Sequence, residues 1–277
     1  MIGGYPVRTL RGKRALVTGA AGGIGRAIAF ALAREGAELF LVDIDEPRLR
    51  ESAREAAAFG SRVHFEICDI SSSAAVSRCI AACTGMFHGL DILVNSAGVL
   101  RYGVQYEMDA ESWKAVMSIN LLAPIQFVQE LWPALADQRE SHILNVCSVV
   151  GLVPVRKLAS YQTSKFGLVG FSLAMRTLGV RYNIGVTALC PGLVDTPMIE
   201  QMGPRWYKQS MRLGPFSPLV SPDVVARHAI AAIRKNKGIA VISLSGKFLW
   251  FVYRFAPALF IRMFTRRQFR LRARKFD

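Results

Sequence analysis

The sequence predicts an α/β protein: a doubly wound parallel sheet of about seven strands, with helices on both faces. Three observations carry this expectation. Short β-rich runs alternate with longer helical patterns from residue 14 to about 242, the runs LFLV and ILNV are apolar without interruption, and no repeat or low-complexity linker divides the 277 residues. Such alternation builds βαβ units, whose helices cover both faces of the sheet and bury its strands on both sides.

The first strand, ALVT at 15–18, runs into Thr18, Gly19, Ala20, Ala21, Gly22, Gly23, Ile24 and Gly25, and then into a helix near 24–35. Glycines in a strand-to-helix turn let the main chain approach a pyrophosphate, which free N–H groups and the positive helix end then hold. The second strand, ELFLVD at 38–43, ends on Asp43, eighteen residues beyond Gly25. A carboxylate there accepts hydrogen bonds from both ribose hydroxyls of an adenosine and repels a 2′-phosphate, so NAD is favoured over NADP.

A helix near 47–59, a strand at 62–68, a helix near 72–87 and a strand at 91–95 follow. The pattern at 111–136 reads as one long helix, with Asn120 inside it. Asparagine is a poor helix former, so packing or function must hold it there. Beyond the fifth strand at 142–148 come a helix near 161–180 and a strand at 184–190. The stretch 192–220 mixes prolines, glycines and aromatics without a period, as expected of a mobile loop beside a site. Ser221, Pro222 and Asp223 open a helix near 222–235, a cap followed by proline at the first helical position, and a last strand covers 239–243.

Tyr161 and Lys165 stand four residues apart on one helix. Their side chains share a face, and an ammonium beside a phenol favours the phenolate, which makes a general base for an alcohol proton. Ser148, placed at the end of the fifth strand, lies at the carboxyl edge where open parallel sheets bind ligands, and its hydroxyl there can hold a substrate oxygen.

With these motifs in order, the chain resembles the short-chain dehydrogenase/reductase family from about residue 12 to 243, with its Rossmann-type fold. TGAAGGIG is similar to the family's cofactor loop, and Asp69 with Ile70 to the pair that lines the adenine. Asn95, Ala97 and Gly98 match its NNAG signature, with Ser96 in place of the second asparagine. Asn120, Ser148, Tyr161 and Lys165 coincide with its catalytic tetrad, and Pro191, Gly192, Val194 and Thr196 fall in the segment that cradles the nicotinamide. The resemblance implies hydride transfer between a nicotinamide and a secondary alcohol or ketone. Tyr161 is then the acid/base, Ser148 orients and polarises the oxygen, Lys165 binds the nicotinamide ribose and lowers the pKa of Tyr161, and Asn120 fixes a water. It also implies a homodimer or homotetramer, paired through the helices that bear Asn120 and Tyr161, and no metal.

Residues 1–246 are expected to form the catalytic domain and 247–277 a basic amphipathic extension. The net charge is +15, and the extension holds nine basic residues against one acid, a net +8. Its longest uncharged runs, 248–253 and 255–261, are far shorter than the roughly 20 residues that span a bilayer. A helical projection puts Tyr253, Ala256, Phe260, Phe264 and Leu271 on one side and Arg254, Arg262, Arg266 and Arg270 on another, the pattern of a helix lying on an anionic membrane surface. A lipophilic substrate, of steroid, retinoid or long-chain type, fits such a location. The competing reading of the tail is closure of an oligomer. The competing functions are an NADPH-dependent ketoreductase and a catalytically idle nucleotide-sensing or nucleic-acid-binding protein; the intact tetrad and the tail's bulky aliphatics weigh against the last. Five cysteines without a CxxC pair read as buried thiols, and the first seventeen residues lack the apolar run and cleavage site of a signal peptide, so a cytoplasmic location is expected.

Overall fold

The computed structural model describes residues 6–103, 108–200 and 219–262. Seven parallel strands, β1 (Arg14–Thr18), β2 (Glu38–Asp43), β3 (Val63–Ile67), β4 (Ile92–Asn95), β5 (Ser141–Val146), β6 (Ile184–Cys190) and β7 (Ile239–Val241), form one sheet in the order 3-2-1-4-5-6-7. The order reverses between β1 and β4, where Thr18 lies opposite Asn95. This is the doubly wound arrangement the alternation predicts, and its switch point opens a crevice at the carboxyl edge.

Helices α1 (Gly23–Arg34) and α2 (Glu46–Ala57) cover one face with a C-terminal helix at Pro222–Arg234; α3 (Ser73–Phe87), α4 (Ala110–Met117) and α5 (Ala123–Ala136) lie elsewhere on the sheet with α6 (Ala159–Gly179). Ile28, Leu32, Leu39 and Leu41 centre one core, and Phe40, Leu93, Phe127 and Leu131 centre the other. At the amino edge, the buried Asp91 carboxylate takes Arg14 Nε at 2.8 Å and Lys13 Nζ at 3.1 Å, tying β1 to the approach of β4. Burial pushes its pKa up, but the hydrogen bonds from Arg14 and Lys13 outweigh this and hold it below the usual carboxylate range.

Three expectations are refined. The helical pattern at 111–136 runs without a break over 110–136, but not as a regular α-helix: α4 and α5 are joined by a π-turn at Ser118–Leu122, closed by Ala123 N–H donating to the Ser118 carbonyl. Ser148 does not end β5, which stops at Val146; it caps a 3-10 turn at Val149–Gly151, accepting the Val150 N–H at 3.3 Å. Helix α6 begins at Ala159, two residues before the expected start near 161, so Tyr161 sits in its first turn.

The extension differs most. After the short helix α7 (Pro197–Glu200) and helix α8 (Pro222–Arg234), a helix α9 runs from Leu244 to Phe255, across the expected boundary at 246/247. It ends at Ala256, and the chain is helical again over 257–262. Pro257 breaks the helix, because it has no N–H to continue the hydrogen-bond ladder. The side the projection assigned to lipid turns inward: Phe260 is 3 % exposed and packs with Cys147, Val149, Leu152 and Leu168, and its ring meets Tyr253 edge-on at 5.3 Å. The outward stripe is Leu244, Phe248, Phe251 and Phe255. A projection gives the faces of a helix but not which of them meets the core. Phe264, Arg266, Arg270 and Leu271 lie outside the described residues, as do 201–218 of the expected mobile loop. All five cysteines are free and buried, as expected. Among the described residues no helix is long and apolar enough to cross a membrane.

His142, fully buried on β5, bonds Thr187 Oγ1 through Nε2 at 2.8 Å, and burial holds its pKa down at about 3. Its folded pKa is depressed, so the stability it contributes is present above the unfolded value of 6.5 and is lost as pH falls from there toward 3. We predict that unfolding free energy drops with falling pH through this window by up to about 1.4 kcal/mol per pH unit from this group. Denaturant titrations of His142→Gln should show that slope reduced by one proton, whatever the variant's absolute stability.

Candidate active site

The glycine turn is shaped by sterics. Gly19 has φ +70°, and a Cβ there would come within 2.7 Å of the Ala97 main-chain nitrogen; a Cβ on Gly25 would strike the Gly19 carbonyl. Only glycine lets the β1 turn, the β4 turn and the start of α1 approach this closely. Gly23, φ +53°, leaves room for the Thr196 methyl, which would be 3.2 Å from a Cβ, so PGLVDT reaches over the loop. The cap residue before helix α1 is Gly22, which has no side chain to bond the helix's first N–H groups and leaves them for an anion in the crevice.

Asp43 ends β2 beside this turn. Its Oδ2 accepts the Ala21 N–H at 3.0 Å, and its Oδ1 accepts those of Ile44 at 2.8 Å and Asp45 at 3.1 Å. The carboxylate is thus held in place by main chain, and among the described residues no cation pairs with it. Asp69, just beyond β3, accepts the Ser71 N–H at 2.9 Å, and Ile70 packs against the core at the same edge.

Thr18 Oγ1 accepts the N–H groups of Ser96 at 3.1 Å and Ala97 at 3.2 Å, joining the two turns. Because both contacts use main chain, serine at 96 costs nothing here. Asn120, fully buried in the π-turn, is clamped to the same segment: its Oδ1 accepts the Val99 N–H at 2.8 Å, and its Nδ2 donates to the Val99 carbonyl at 2.9 Å and to Ser164 Oγ at 3.2 Å. Packing explains this asparagine, since the side chain replaces a strand partner for Val99. Its amide is committed to that clamp, so a bound water would have to use the main chain of the π-turn, a geometry common at functional sites.

Tyr161, Ser148 and Lys165 converge behind Gly98. The Lys165 ammonium, 4 % exposed, lies 5.6 Å from the Tyr161 ring centre and donates to the Val146 carbonyl at 2.8 Å. A Cβ on Gly98 would sit 3.6 Å from that nitrogen, so the glycine keeps it open to the crevice. Burial pushes the Tyr161 phenol up to about 12, with Ser148 pulling the other way. Burial lowers Lys165. The lysine alone therefore does not ionise the tyrosine, and burial keeps the phenol protonated. Leu100, Val150, Leu158 and Met198 pack around Tyr161 and form an apolar wall that no motif marked. Pro191 fixes the Ser148 turn by accepting the Val149 N–H at 2.9 Å, Gly192 lies against Ser243 at the start of α9, and Val194 is bridged to Val220.

Among the described residues no cluster of ligating side chains suits a metal ion. The expected site residues, by contrast, gather along one edge of the sheet. A second polar ladder went unread in the sequence: Asn95 Nδ2 donates to Asn145 Oδ1 at 2.9 Å, and Asn145 Nδ2 to Ser172 Oγ at 2.8 Å. Its signal was the lone asparagine in the apolar strand HILNVC.

Residues 13–205 match the family described as short chain dehydrogenase. The chain is 32 % identical over 253 residues to the "Probable oxidoreductase EphD" of Mycobacterium tuberculosis, covering 87 % of this chain but only 43 % of that protein. It is 30 % identical over 218 residues to the 3-oxoacyl-[acyl-carrier-protein] reductase FabG of Thermotoga maritima, covering 79 % of this chain and 89 % of that one. Among solved structures, L-sorbose reductase from Gluconobacter frateurii, complexed with NADPH and L-sorbose, superposes with a TM-score of 0.78 at 26 % identity, covering 85 % of this chain and 97 % of the other.

Asn120→Ala would remove the side-chain partner of both main-chain polar groups of the half-buried Val99. We predict a loss of about 2–4 kcal/mol of stability, read by denaturant unfolding, with Asn120→Asp losing less because it keeps the acceptor for the Val99 N–H.

Proposed function

Because this chain belongs to the short-chain dehydrogenase family, we propose that it is an NAD-dependent oxidoreductase acting on a lipophilic secondary alcohol or its ketone. The observation that carries this is the convergence of Tyr161, Ser148 and Lys165 beside a glycine cradle that a main-chain-held Asp43 flanks. The residues fit a dinucleotide: open N–H groups at α1 suit its pyrophosphate, Asp43 its ribose hydroxyls, and Thr196 and Gly192 the nicotinamide end. When bound, the cofactor accepts or gives a hydride at its nicotinamide ring.

The chain's own residues handle the proton. Ser148 holds the substrate oxygen, and Tyr161 exchanges a proton with it. Lys165, anchored on Val146, places positive charge where a ribose would lie and biases the phenol toward its anion once further charge is near. Since Tyr161 is pushed up to about 12, chiefly by burial, carbonyl reduction finds its proton already in place, whereas alcohol oxidation gains as pH rises and the phenol ionises. The apolar wall of Leu100, Val150, Leu158 and Met198 favours a hydrophobic substrate.

A second reading, an NADPH-dependent ketoreductase, is favoured by the likeness to FabG and to an NADPH-bound reductase. Against it stands the fixed carboxylate of Asp43 where a 2′-phosphate would lie. The exposed apolar residues Leu122, Phe166, Leu173 and Leu178 on the π-turn and α6 support pairing of subunits there. The basic extension with its outward aromatic stripe supports peripheral contact with an anionic membrane on the cytoplasmic side.

Steady-state assays with long-chain, steroid and retinoid alcohols test the reading. Higher kcat/KM with NAD than NADP is expected, and Asp43→Ala should narrow the gap; equal or better turnover with NADP in the unaltered protein would overturn the preference. Tyr161→Phe should bind cofactor normally yet lose roughly 10²- to 10⁴-fold in kcat, since only the proton-carrying oxygen goes.

A further inference from the structure

Beside the helix α9 lies a groove of about 550 Å³, walled on the other side by the sheet edge at β7 and by α8. We propose that this groove seats the anionic headgroup of a bilayer lipid, with the outward stripe of α9 among the acyl chains, an assignment that rests on the membrane reading above and adds a defined site to it.

The charge is one-sided. His228, Lys237, Lys247 and Arg254 line the groove, all of them exposed, and none forms an ion pair among the described residues. No carboxylate lines it. Partial burial, then the charges of Lys247, Lys237 and Arg227, hold His228 below its ordinary pKa, as expected where positive potential accumulates.

The apolar part is continuous with the charge. Phe251 and Phe255 line the same groove, with ring centres 4.8 Å apart, and are 61 % and 70 % exposed. With Leu244 at 81 % and Phe248 at 66 % they form one stripe along α9, spaced as one helical face. Trp250, half-buried at the groove, carries the Arg254 guanidinium 5.8 Å over its ring. Cations at the base of an aromatic ledge match a phosphate that carries hydrocarbon. A small soluble phosphate would use the cations and leave the stripe in water. A second copy of this chain, related by a two-fold axis, would set this patch against itself and bring like charges together. The chain after residue 262 adds six basic residues and one acid in its sequence, the same sign again.

The test is flotation of the full chain with phosphatidylcholine vesicles, with and without phosphatidylglycerol, alongside two groups of variants. One group alters the groove (Lys237→Gln, Lys247→Gln and Arg254→Gln together); the other alters the stripe (Phe248→Ser and Phe251→Ser together). A third protein ends at residue 262. Cofactor affinity and thermal midpoint, which these exposed side chains should not move, verify folding. Binding that requires phosphatidylglycerol, falls at least tenfold in the groove variant and persists in the protein ending at 262 is the expected result. Binding that the groove variant keeps and the protein ending at 262 loses would overturn the headgroup site while the membrane reading stands. An intact protein that ignores anionic vesicles would overturn both, and if its stripe variant also dissociates from a dimer, the face belongs to a second copy.

Discussion

The structure depends on two hydrogen bonds at the place where the sheet changes direction. The Thr18 hydroxyl accepts the N–H groups of Ser96 and Ala97, and so fastens the turn after β1 to the turn after β4. In a doubly wound sheet these turns leave in opposite directions, and without a tie the crevice between them has no set width. The tie continues sideways through Asn95, Asn145 and Ser172, and upward through Val99 and Asn120. Buried polar groups of this kind are costly when unpaired, so once satisfied they favour one alignment of strands and helix over its neighbours.

That alignment brings two titratable groups out of water together. Burial keeps the Tyr161 phenol protonated and weakens the hold of Lys165 on its proton. The site is consequently poised rather than armed, and charge that arrives with a ligand acts at short range in a poor dielectric. Anchoring Lys165 on the Val146 carbonyl, instead of on the phenol, leaves other protons of the ammonium for that ligand.

The sheet was legible because its signals are local: apolar strands, glycine turns and capped helices each announce themselves within ten residues. The glycine turn and the pairing of Tyr161 with Lys165 four residues apart on one helix were legible for the same reason. Less could be read wherever the answer depended on a distant partner. Asn120 looked out of place in a helix, yet only Val99, twenty-one residues away, explains it. Ser148 was placed at a strand end because HILNVCS is uniformly strand-like, whereas β5 stops two residues earlier and the chain turns under Pro191. The inward turn of Phe260 was invisible, since the cluster it completes is assembled from the turn after β5, from β6 and from α6.

The π-turn at Ser118–Leu122 has one more consequence. Each residue added to or removed from a helix turns everything beyond it by about 100° and advances it by about 1.5 Å. Deleting one residue from this turn would restore a regular α-helix with every amide paired, and by local propensity alone it would be an improvement. It would also swing Asn120 away from Val99 or α4 away from its seat. Chain length within these five positions thus carries information that residue identity does not, and an alignment that slides a gap through them misassigns the phase of a whole helix.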